Sequence, residues 1–523
     1  MISQALLALS TLFLTFFFTF ENLAFGFYLF IAVMPLLHKE AFSLVIWDLL
    51  PIRLVLVAVG LVCLGRFGVW YRKNNGPAAI RGEVGKFFND PILLLLLGLL
   101  LVRLLSLVNS LNLVASLQLL IFFSGIIFFY FFFKYLAKKN GWPFLLTATK
   151  LYVFVALVTG ILAVFQLLVQ QILGKTIGAV WVVPGHLPRI GSTLWDVNHY
   201  GGYLVTVLPL SLFLAFSSLD KHWARFWGVT TLFLSGVIIL SQSRSAWLGL
   251  AAALLLLLAF LWWWGLRKQF YTVALVLVIG GVGFINLIYL QQRTLSGYIS
   301  AFMHTRIDSS DTHFDLLQAS GELLLKYPWV GAGYGSFSEH LRETSVAASF
   351  FSKDNRLGET RVPPHSVWGE VVGETGILGV VLYSSLVLIV LGYSVVSVLG
   401  TKESEKRLLQ LGFLAATVGI VFSGIFYSYN IEFYWWVLFS TFLLAITAVP
   451  DLNNFSYFVS KLPKVRGLTW LPLILAFTAL VFGGLGATHV IDWDEAIYAQ
   501  VARNIADTGH FLTLQWYKGA PWF

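Results

Sequence analysis

Long apolar runs alternate with short polar connections along most of the 523-residue chain. A helix of about 20 apolar residues crosses the hydrocarbon core of a bilayer and pairs its own backbone polar groups there. The pattern therefore predicts an all-α fold, a polytopic bundle of about 12–14 transmembrane helices. The predicted spans are 4–19, 22–37, 50–65, 92–108, 112–133, 147–171, 201–217, 226–241, 245–265, 270–289, 367–396, 408–427, 431–449 and 470–488.

The longest polar interval, residues 291–366, separates two late spans. Connections of this length are usually functional or disordered, and the aromatic stretch Tyr327–Phe337 is not typical of disorder. From Phe314 onward the apolar spacing predicts a helix, which Pro328 ends. We therefore predict one large folded loop that covers an active site outside the membrane.

Composition excludes a soluble protein. Hydrophobic residues make up 58% of the chain and charged residues 11%, whereas about a quarter of the residues of soluble domains are charged. Cys63 is the only cysteine, which excludes a disulfide or a cysteine-based metal site within the chain. No basic residue precedes Lys39, so a signal peptide is not expected.

The net charge of +9 is explained by membrane orientation rather than by a nucleic-acid partner, because the basic residues lie in short connections. Every second connection is basic, which places these connections in the cytoplasm. Counting back places Met1 outside, and the alternative that an early segment is re-entrant stays open. The basic connections are 66–90, 134–146, 221–225, 267–268, 402–407 and 461–466, and the opposite ones are 172–200, 241–245, 291–366 and 427–432.

Arg244 lies in a tight turn, Ser241–Trp247, between two predicted spans on the side opposite the basic connections. An arginine at membrane depth is costly and is a functional candidate. Its guanidinium group suits phosphate recognition through paired N–H donors. The alternative is an arginine that extends to the membrane interface beside Trp247.

His365 lies where the long loop re-enters the membrane. A neutral imidazole can take a proton from an acceptor hydroxyl near neutral pH. Glu370 and Glu374 follow one and two turns later, so on a continuous helix they would face a polar cavity. The alternative is a structural histidine with two interface carboxylates. No tight ligand spacing predicts a metal site.

Two further stretches have both a functional and a structural interpretation. Asn198 and His199 can orient a polar ligand, or their turn simply caps the next helix through Asp196 or Asn198. The glycine-rich stretch within Tyr327–Phe337 can form a phosphate loop, although its spacing is not that of a Walker or dinucleotide motif. Its alternative is a packed loop.

In their order and spacing, these stretches resemble the O-antigen ligase and polymerase family of bacterial membrane glycosyltransferases. The resemblance covers roughly residues 20–450 and is most specific between 190 and 380. The motifs that carry it are Gly191–Thr193 with Asn198–Gly201, Ser243–Ala246, Tyr327–Phe337, and His365–Ser366 with Gly373–Gly379.

The resemblance implies transfer of a glycan from undecaprenyl pyrophosphate to an acceptor hydroxyl at the periplasmic face of the bacterial inner membrane. In the ligases the acceptor is a lipid A core sugar, and no cofactor or metal is expected. Arg244 matches the arginine that binds the donor pyrophosphate, and His365 matches the histidine that activates the acceptor. Membrane lipids are expected partners, and Asn198, Glu370 and Glu374 are supporting residues.

Other activities remain open within the same resemblance. An O-antigen or exopolysaccharide polymerase and a protein O-oligosaccharyltransferase use the same donor chemistry. A small-anion transporter is less favoured, because the charged residues are predicted at the outer face rather than at the midplane.

The sequence departs from the family pattern at two places. A second family arginine usually precedes the cap helix, where this chain has His313, with Arg306 upstream. We expect either residue to supply the missing positive charge at the donor pyrophosphate. The usual His-Asn pair is His365–Ser366 here, which puts the acceptor in doubt more than the reaction class.

The predicted domains are an O-antigen ligase-like membrane domain (1–449, with its periplasmic loop at 291–366), a cytoplasmic linker (450–466) and a second segment (467–523). The last segment resembles the start of a membrane glycosyltransferase of the protein mannosyltransferase and aminoarabinose transferase type. Asp494 and Glu495 match the catalytic Asp-Glu pair of that family. Because such enzymes need many more spans, this remnant is expected to be truncated and inactive by itself.

Overall fold

The structure is a computed structural model that describes part of the chain. The described residues are 2–36, 51–73, 90–182, 188–194, 196–218, 220–275, 277–278, 313–347, 362–401, 403–429, 515–517 and 520–521. Several sequence predictions lie outside them: Arg306, Asp494, Glu495, the linker 450–466 and the spans 431–449 and 470–488.

The described chain is almost entirely helical. Its α-helices are α1 (Ile2–Glu21), α2 (Leu23–Val33), α3 (Pro51–Lys73), α4 (Pro91–Ser106), α5 (Leu113–Leu173), α6 (Val197–Ser217), α7 (Lys221–Ser241), α8 (Arg244–Trp263), α9 (267–275), α10 (313–326), the short α11 (Phe337–His340), α12 (Val367–Gly400) and α13 (Ser404–Ser423). Short 3-10 turns follow α4 and α11 at Leu107–Asn109 and Leu341–Glu343. Two antiparallel hairpins pair β1 (Ala179–Trp181) with β2 (Arg189–Ser192) and β3 (Gln515–Tyr517) with β4 (Ala520–Pro521).

Eight helices among the described residues are long and apolar enough to cross a membrane: α3, α4, α5, α6, α7, α8, α12 and α13. The predicted all-α, polytopic fold is therefore confirmed. The short helix α2 differs from its predicted span of 22–37. Its 11 residues rise about 16 Å, so α2 does not by itself cross a hydrocarbon core of about 30 Å.

The prediction of a polar loop at 134–146 is wrong. These residues continue α5, whose 61 residues contain one non-helical residue, Gly141 (φ 63°, ψ −150°). The glycine takes a backbone conformation that other residues rarely adopt, and Pro143 follows in the first turn of the second segment, where its missing N–H does least harm. The two predicted spans 112–133 and 147–171 are thus two helices joined directly at Gly141.

The basic connections meet at one end of the bundle. The Lys406 ammonium lies 5.9 Å from the centroid of the Trp142 ring, and the Arg407 guanidinium lies 4.3 Å from that of Trp264. These contacts join connections that are far apart in the chain, as expected if all of them face one side of a membrane. We call this the basic end, residues 134–142, 264–268 and 403–407.

The opposite end carries the folded part of the long loop. The amide Nδ2 of Asn109 donates to the carbonyl of Gly331 at 2.8 Å, and the backbone N–H of Leu111 donates to Ser336 Oγ at 2.9 Å. We call residues 313–347 the cap, and we call the end beneath it the cap end, residues 106–112, 188–194, 196, 241–245, 362–367 and 424–429.

The cap has a hydrophobic core of its own, as the sequence predicts for a folded loop. The predicted helix from Phe314 is observed at 313–326, and Pro328 follows it. Apolar residues of the helix pack against the rest of the cap, which gives the loop enough buried surface to be ordered. The buried members are Leu316, Ala319, Leu323, Ala332, Phe337, Leu341, Val346 and Val362.

Helices α6, α8 and α13 pack closely under the cap end because glycines line their contacts. A Cβ atom added at Gly249 would lie 2.4 Å from the carbonyl oxygen of Gly419, and one at Gly202 would lie 2.5 Å from the Tyr429 ring. Small residues let membrane helices approach at backbone distance. Side chains at the ends of these helices are consequently held in fixed positions.

The cap is joined to α12 through the backbone. Helix α12 breaks at Gly376 (φ 61°, ψ −162°), and the Ile377 N–H donates to the carbonyl of Pro328 at 2.8 Å. The Ala332 N–H donates to the carbonyl of Gly373 at 2.8 Å. The glycine-rich stretch of the cap therefore pairs backbone groups that the helix break leaves open.

We predict that Gly331→Ala destabilises the protein more than Gly265→Ala. Both glycines have positive φ (75° and 70°), so each alanine incurs about 1–2 kcal/mol of left-handed backbone strain. A Cβ at Gly331 would also lie 2.3 Å from backbone atoms of Glu374 and Thr375, whereas Gly265 faces open space. The midpoint of thermal unfolding in detergent measures the difference. Equal losses in the two variants would contradict the tight joint.

Candidate active site

His365 stands at the joint between the cap and α12, in a strained conformation. Its φ of 50° is left-handed, which few non-glycine residues adopt. Immediately after it, Ser366 Oγ accepts from the Gly369 N–H at 3.2 Å and so caps α12. The Val367 N–H donates to the carbonyl of Gly424 at 2.9 Å. The two residues that follow His365 are thus fixed by hydrogen bonds.

The left-handed backbone occurs at two other non-glycine residues of the described chain, Ser192 (φ 55°) and Gln242 (φ 51°). Ser192 ends β2, and Gln242 follows α7, so both belong to the cap end. Strained residues persist only where the surrounding structure holds them, and they cluster at functional sites. Their convergence with His365 marks this end of the bundle as the candidate site.

A row of rings from four separate segments crosses the site. The His365 ring centroid lies 4.7 Å from that of His313 in α10 and 5.4 Å from that of Tyr427. Tyr427 continues the row to His199 in α6, at 5.3 Å, and to Tyr429, at 5.6 Å. The structure therefore brings His313 and His365 together and reveals Tyr427 between the predicted site residues.

Asp196 anchors the row of rings to α6. The Tyr427 hydroxyl donates to Asp196 Oδ1 at 3.0 Å, and the same oxygen accepts from the N–H groups of Asn198, at 2.7 Å, and His199, at 3.2 Å. Asp196, rather than Asn198, is thus the cap of this helix. Burial and the carboxylate of Asp196 raise the pKa of Tyr427 well above its usual value, so this hydroxyl stays protonated and donates.

His199 does not face a ligand directly. Its side chain is 2% exposed, and its ring packs edge-on against Tyr427 and Tyr429, at 5.3 and 5.7 Å. The ligand-orienting interpretation of this turn stays a prediction, and in the structure the His199 ring is packed against Tyr427 and Tyr429.

Arg189 lies between Asn198 and the turn that carries Arg244. Its Nη2 donates to Asn198 Oδ1 at 2.9 Å, and its Nε donates to the carbonyl of Ser241 at 3.2 Å. The hairpin of β1 and β2 supplies this arginine, and the hydrophobic pattern does not predict the hairpin. Asn198 supports the site by fixing Arg189.

Arg244 is the first residue of α8 and is half-buried. The neighbouring Ser245 Oγ lies 3.3 Å from the Tyr429 hydroxyl, which also lies 2.8 Å from Ser423 Oγ. The turn of Arg244 thus reaches the row of rings through Tyr429. Ser245, the residue after Arg244, is thus linked to His365 by three successive contacts, through Tyr429 and Tyr427.

Glu374 occupies the amides that a phosphate loop would offer. Its Oε2 accepts from the Gly335 N–H at 2.9 Å, and its Oε1 accepts from the Phe337 N–H at 3.4 Å. The phosphate interpretation of this glycine-rich stretch therefore does not hold in the described structure. Glu374 is 6% exposed and fastens the cap to α12, while Glu370 on the same helical segment is half-buried.

Arg103 is a second fastening residue. It is 1% exposed near the end of α4, and its guanidinium carbon lies 3.8 Å from the Phe123 ring centroid and 4.3 Å from that of Tyr334. A desolvated guanidinium between two aromatic faces is stabilised by their quadrupoles. The sequence could have pointed to Arg103, because an arginine within an apolar span is costly.

Among the described residues, no group of three His, Cys, Asp or Glu side chains is arranged to hold a metal ion.

Residues 229–384 match the family model described as O-antigen ligase. This segment is similar to the O-antigen ligases. It begins in α7 and ends beyond the break in α12, and it includes Arg244, His313 and His365. The eight long apolar helices of the described chain are typical of a multi-pass membrane protein, and the family that residues 229–384 resemble is the O-antigen ligases. No curated protein shows a significant match to the chain.

The O-antigen ligase family acts with a lipid-linked glycan donor and a glycan acceptor. Asn198, Asp196 and Tyr427 lie outside the matched segment. Sequence reasoning missed Tyr427 and Arg189 as site residues. Their positions could have identified them: Arg189 precedes the predicted span 201–217, and Tyr427 ends the predicted span 408–427, both on the side of Arg244 and His365.

We predict that Asp196→Ala lowers the free energy of unfolding more than Asp220→Ala does. Both aspartates cap helices, but Asp220 is partnered only by the His222 N–H at an exposed helix start. Asp196 also accepts the buried Tyr427 hydroxyl, whose loss adds about 1–3 kcal/mol. Thermal unfolding in detergent tests this. Asp196→Asn, which keeps the cap, should retain most of the stability, and a loss as large as that of alanine would count against the argument.

Proposed function

We propose that this O-antigen ligase-type protein transfers a glycan from undecaprenyl pyrophosphate to a hydroxyl group of a lipid A core sugar, at the periplasmic face of the inner membrane. The observation that carries the proposal is the position of His365. His365 has a strained backbone, and its imidazole packs against His313 of the cap and Tyr427 of the bundle. Tyr429, close to Tyr427, contacts Ser245 in the turn that carries Arg244.

In this mechanism His365 is the general base. Its imidazole takes the proton of the acceptor hydroxyl as the hydroxyl oxygen attacks the anomeric carbon of the donor glycan. A new C–O bond forms, and the bond between the anomeric carbon and the pyrophosphate oxygen breaks. Undecaprenyl pyrophosphate leaves with the electron pair, and the proton passes from His365 to solvent.

Arg244 stabilises the leaving pyrophosphate. The guanidinium fork matches phosphate oxygens in pairs, and the N-terminal amides of α8 add positive potential at the same place. His313, which replaces an arginine of the family pattern, and Arg306 are the proposed sources of a second positive charge. The contact of His313 with His365 supports this role, because it brings His313 beside the proposed base.

The membrane geometry supports a lipid-linked donor. Arg244 begins a 20-residue apolar helix directly after the turn from α7, also an apolar span. A lipid pyrophosphate has its anionic group at the interface and its chain in the bilayer, so its recognition needs fixed cations at the ends of spans.

The distribution of buried charge favours an enzyme over a small-anion transporter. In the described residues, Arg103, Asp196 and Glu374 are buried and all lie at or beside the cap end. The breaks in α5 and α12 occur at Gly141 and Gly376, at the basic end and beneath the cap. Transporters place discontinuous helices and ion sites near the bilayer midplane.

We predict that His365→Ala abolishes attachment of polymer to lipid A core in a ligase-deficient Gram-negative strain that expresses the wild-type or variant chain. Loss of a general base lowers the rate by about 10²–10⁴-fold. The matched control is His222→Ala, an exposed histidine at the start of α7, at the other end of this helix from the Arg244 turn. Lipopolysaccharide gels report the product, and membrane fractions report insertion.

The outcome separates the alternatives. Polymer made by wild type and His222→Ala but not by His365→Ala supports the ligase. Full activity of His365→Ala would overturn the mechanism. An inserted wild type without polymer on lipid A core would reject this acceptor and leave the polymerase and the protein O-oligosaccharyltransferase to be assayed with their own acceptors.

Substitution of Arg244 tests the donor site. Arg244→Ala should lower kcat/KM by about 10²–10³-fold, as loss of one electrostatic contact to developing charge does. Arg244→Lys keeps the charge but not the paired N–H geometry, so its activity should be intermediate. Arg225→Ala, an exposed arginine of α7, is the control. The assay uses purified protein in liposomes with a lipid-linked glycan. Wild-type activity in Arg244→Ala would exclude it from the donor site.

A further inference from the structure

We propose that Tyr427 and Asp196 are positioning residues that hold the His365 imidazole in place for the transfer reaction. This inference rests on the proposed function, because it concerns the same base. Neither residue lies within the segment that matches the family model, and neither was expected to act on the basis of the sequence motifs.

Tyr427 and His313 of the cap both pack against the His365 imidazole. The centroids of the Tyr427 and His365 rings lie 5.4 Å apart with an interplanar angle of 39°, while the His313 ring approaches at 4.7 Å and 30°. The backbone of His365 has an unusual φ of 50°. The orientation of its imidazole therefore depends on such contacts rather than on a regular helix. Tyr427 therefore provides one wall of the space that orients this base.

The wall is fixed by a hydrogen bond to a buried carboxylate. The Tyr427 hydroxyl donates to Asp196 Oδ1 at 3.0 Å, and the two residues are 8% and 4% exposed. A hydrogen bond to a charged acceptor is about twice as strong as a neutral one. Asp196 is itself held by two N–H groups at the start of α6. The Tyr427 ring is thus anchored, through Asp196, to the first turn of helix α6.

The backbone beside the two rings is also tied. The Val367 N–H donates to the carbonyl of Gly424, which joins the start of α12 to the segment that carries Tyr427. Tyr429, two residues further on, is bonded to Ser423 and Ser245. Removal of the Tyr427 hydroxyl therefore removes its side-chain hydrogen bonds and leaves the backbone link between Val367 and Gly424 in place.

The expected effect is on turnover rather than on binding. A base must lie within hydrogen-bond reach of the proton that it removes, and a misplacement of about 1 Å lowers rates by about 10²-fold. Tyr427→Phe keeps the ring but loses the anchor, and we expect kcat to fall about tenfold while KM values stay within about twofold. Tyr427→Leu also loses the ring and should lower kcat about 100-fold.

A matched control separates this role from general stability. Tyr152→Phe removes another buried tyrosine hydroxyl, which lies 2.5 Å from Thr206 Oγ1 between α5 and α6. It should lower the unfolding temperature as much as Tyr427→Phe and leave kcat unchanged. In addition, the kcat losses of Tyr427→Phe and Asp196→Ala should not add in the double variant, because both remove the same hydrogen bond.

A second measurement does not depend on activity. Diethyl pyrocarbonate modifies accessible imidazoles, and mass spectrometry gives the modification rate of His365 separately from that of His222. We expect Tyr427→Leu to raise the His365 rate several-fold, since the ring that covers the imidazole is gone, whereas Tyr152→Leu should not change it.

The results separate the proposed function from the positioning role of Tyr427. If the wild type transfers no glycan to any tested acceptor, the proposed function fails, and the labelling rates still decide whether Tyr427 holds His365. If the wild type is active but Tyr427→Phe has wild-type kcat, or has lost only thermal stability, the positioning role is overturned. Unchanged labelling of His365 in Tyr427→Leu would overturn it as well.

Discussion

The backbone joint between the cap and the broken helix α12 is the constraint on which the site depends. At membrane depth every backbone N–H and carbonyl needs a partner, and the break at Gly376 leaves several open. The stretch 328–333 of the cap pairs with them, so that Ile377 and Leu378 donate to Pro328 and Trp329. These hydrogen bonds satisfy backbone groups at the break and attach the cap to α12.

At this joint the glycine-rich motif makes structural contacts, whereas the candidate site residues lie elsewhere. Gly331 approaches the α12 backbone at a distance that no side chain allows, and Glu374 fills the amides of the cap. The motif therefore joins the cap to α12. In this arrangement α10 brings His313 to His365, and His365, which precedes α12, packs against Tyr427.

Much of this arrangement could be predicted from the sequence. Period and length predicted the spans and the cap helix, because burial in lipid or in a small core imposes them on each segment locally. Arg244 and His365 stood out because polar residues are costly where those spans end. The loop predicted at 134–146 was wrong because its lysines suggested a polar connection, whereas the helix continues through them with a break at Gly141 alone.

The sequence by itself determined the fold class, the helical cap and the side chains that can carry the chemistry, since these follow from the residues of one segment. Only the tertiary structure decided which of them meet. Tyr427 and Asp196 are 231 positions apart, and their hydrogen bond exists because glycine-lined helices pack at backbone distance. Such contacts depend on the relative placement of whole helices, which no local pattern of residues records.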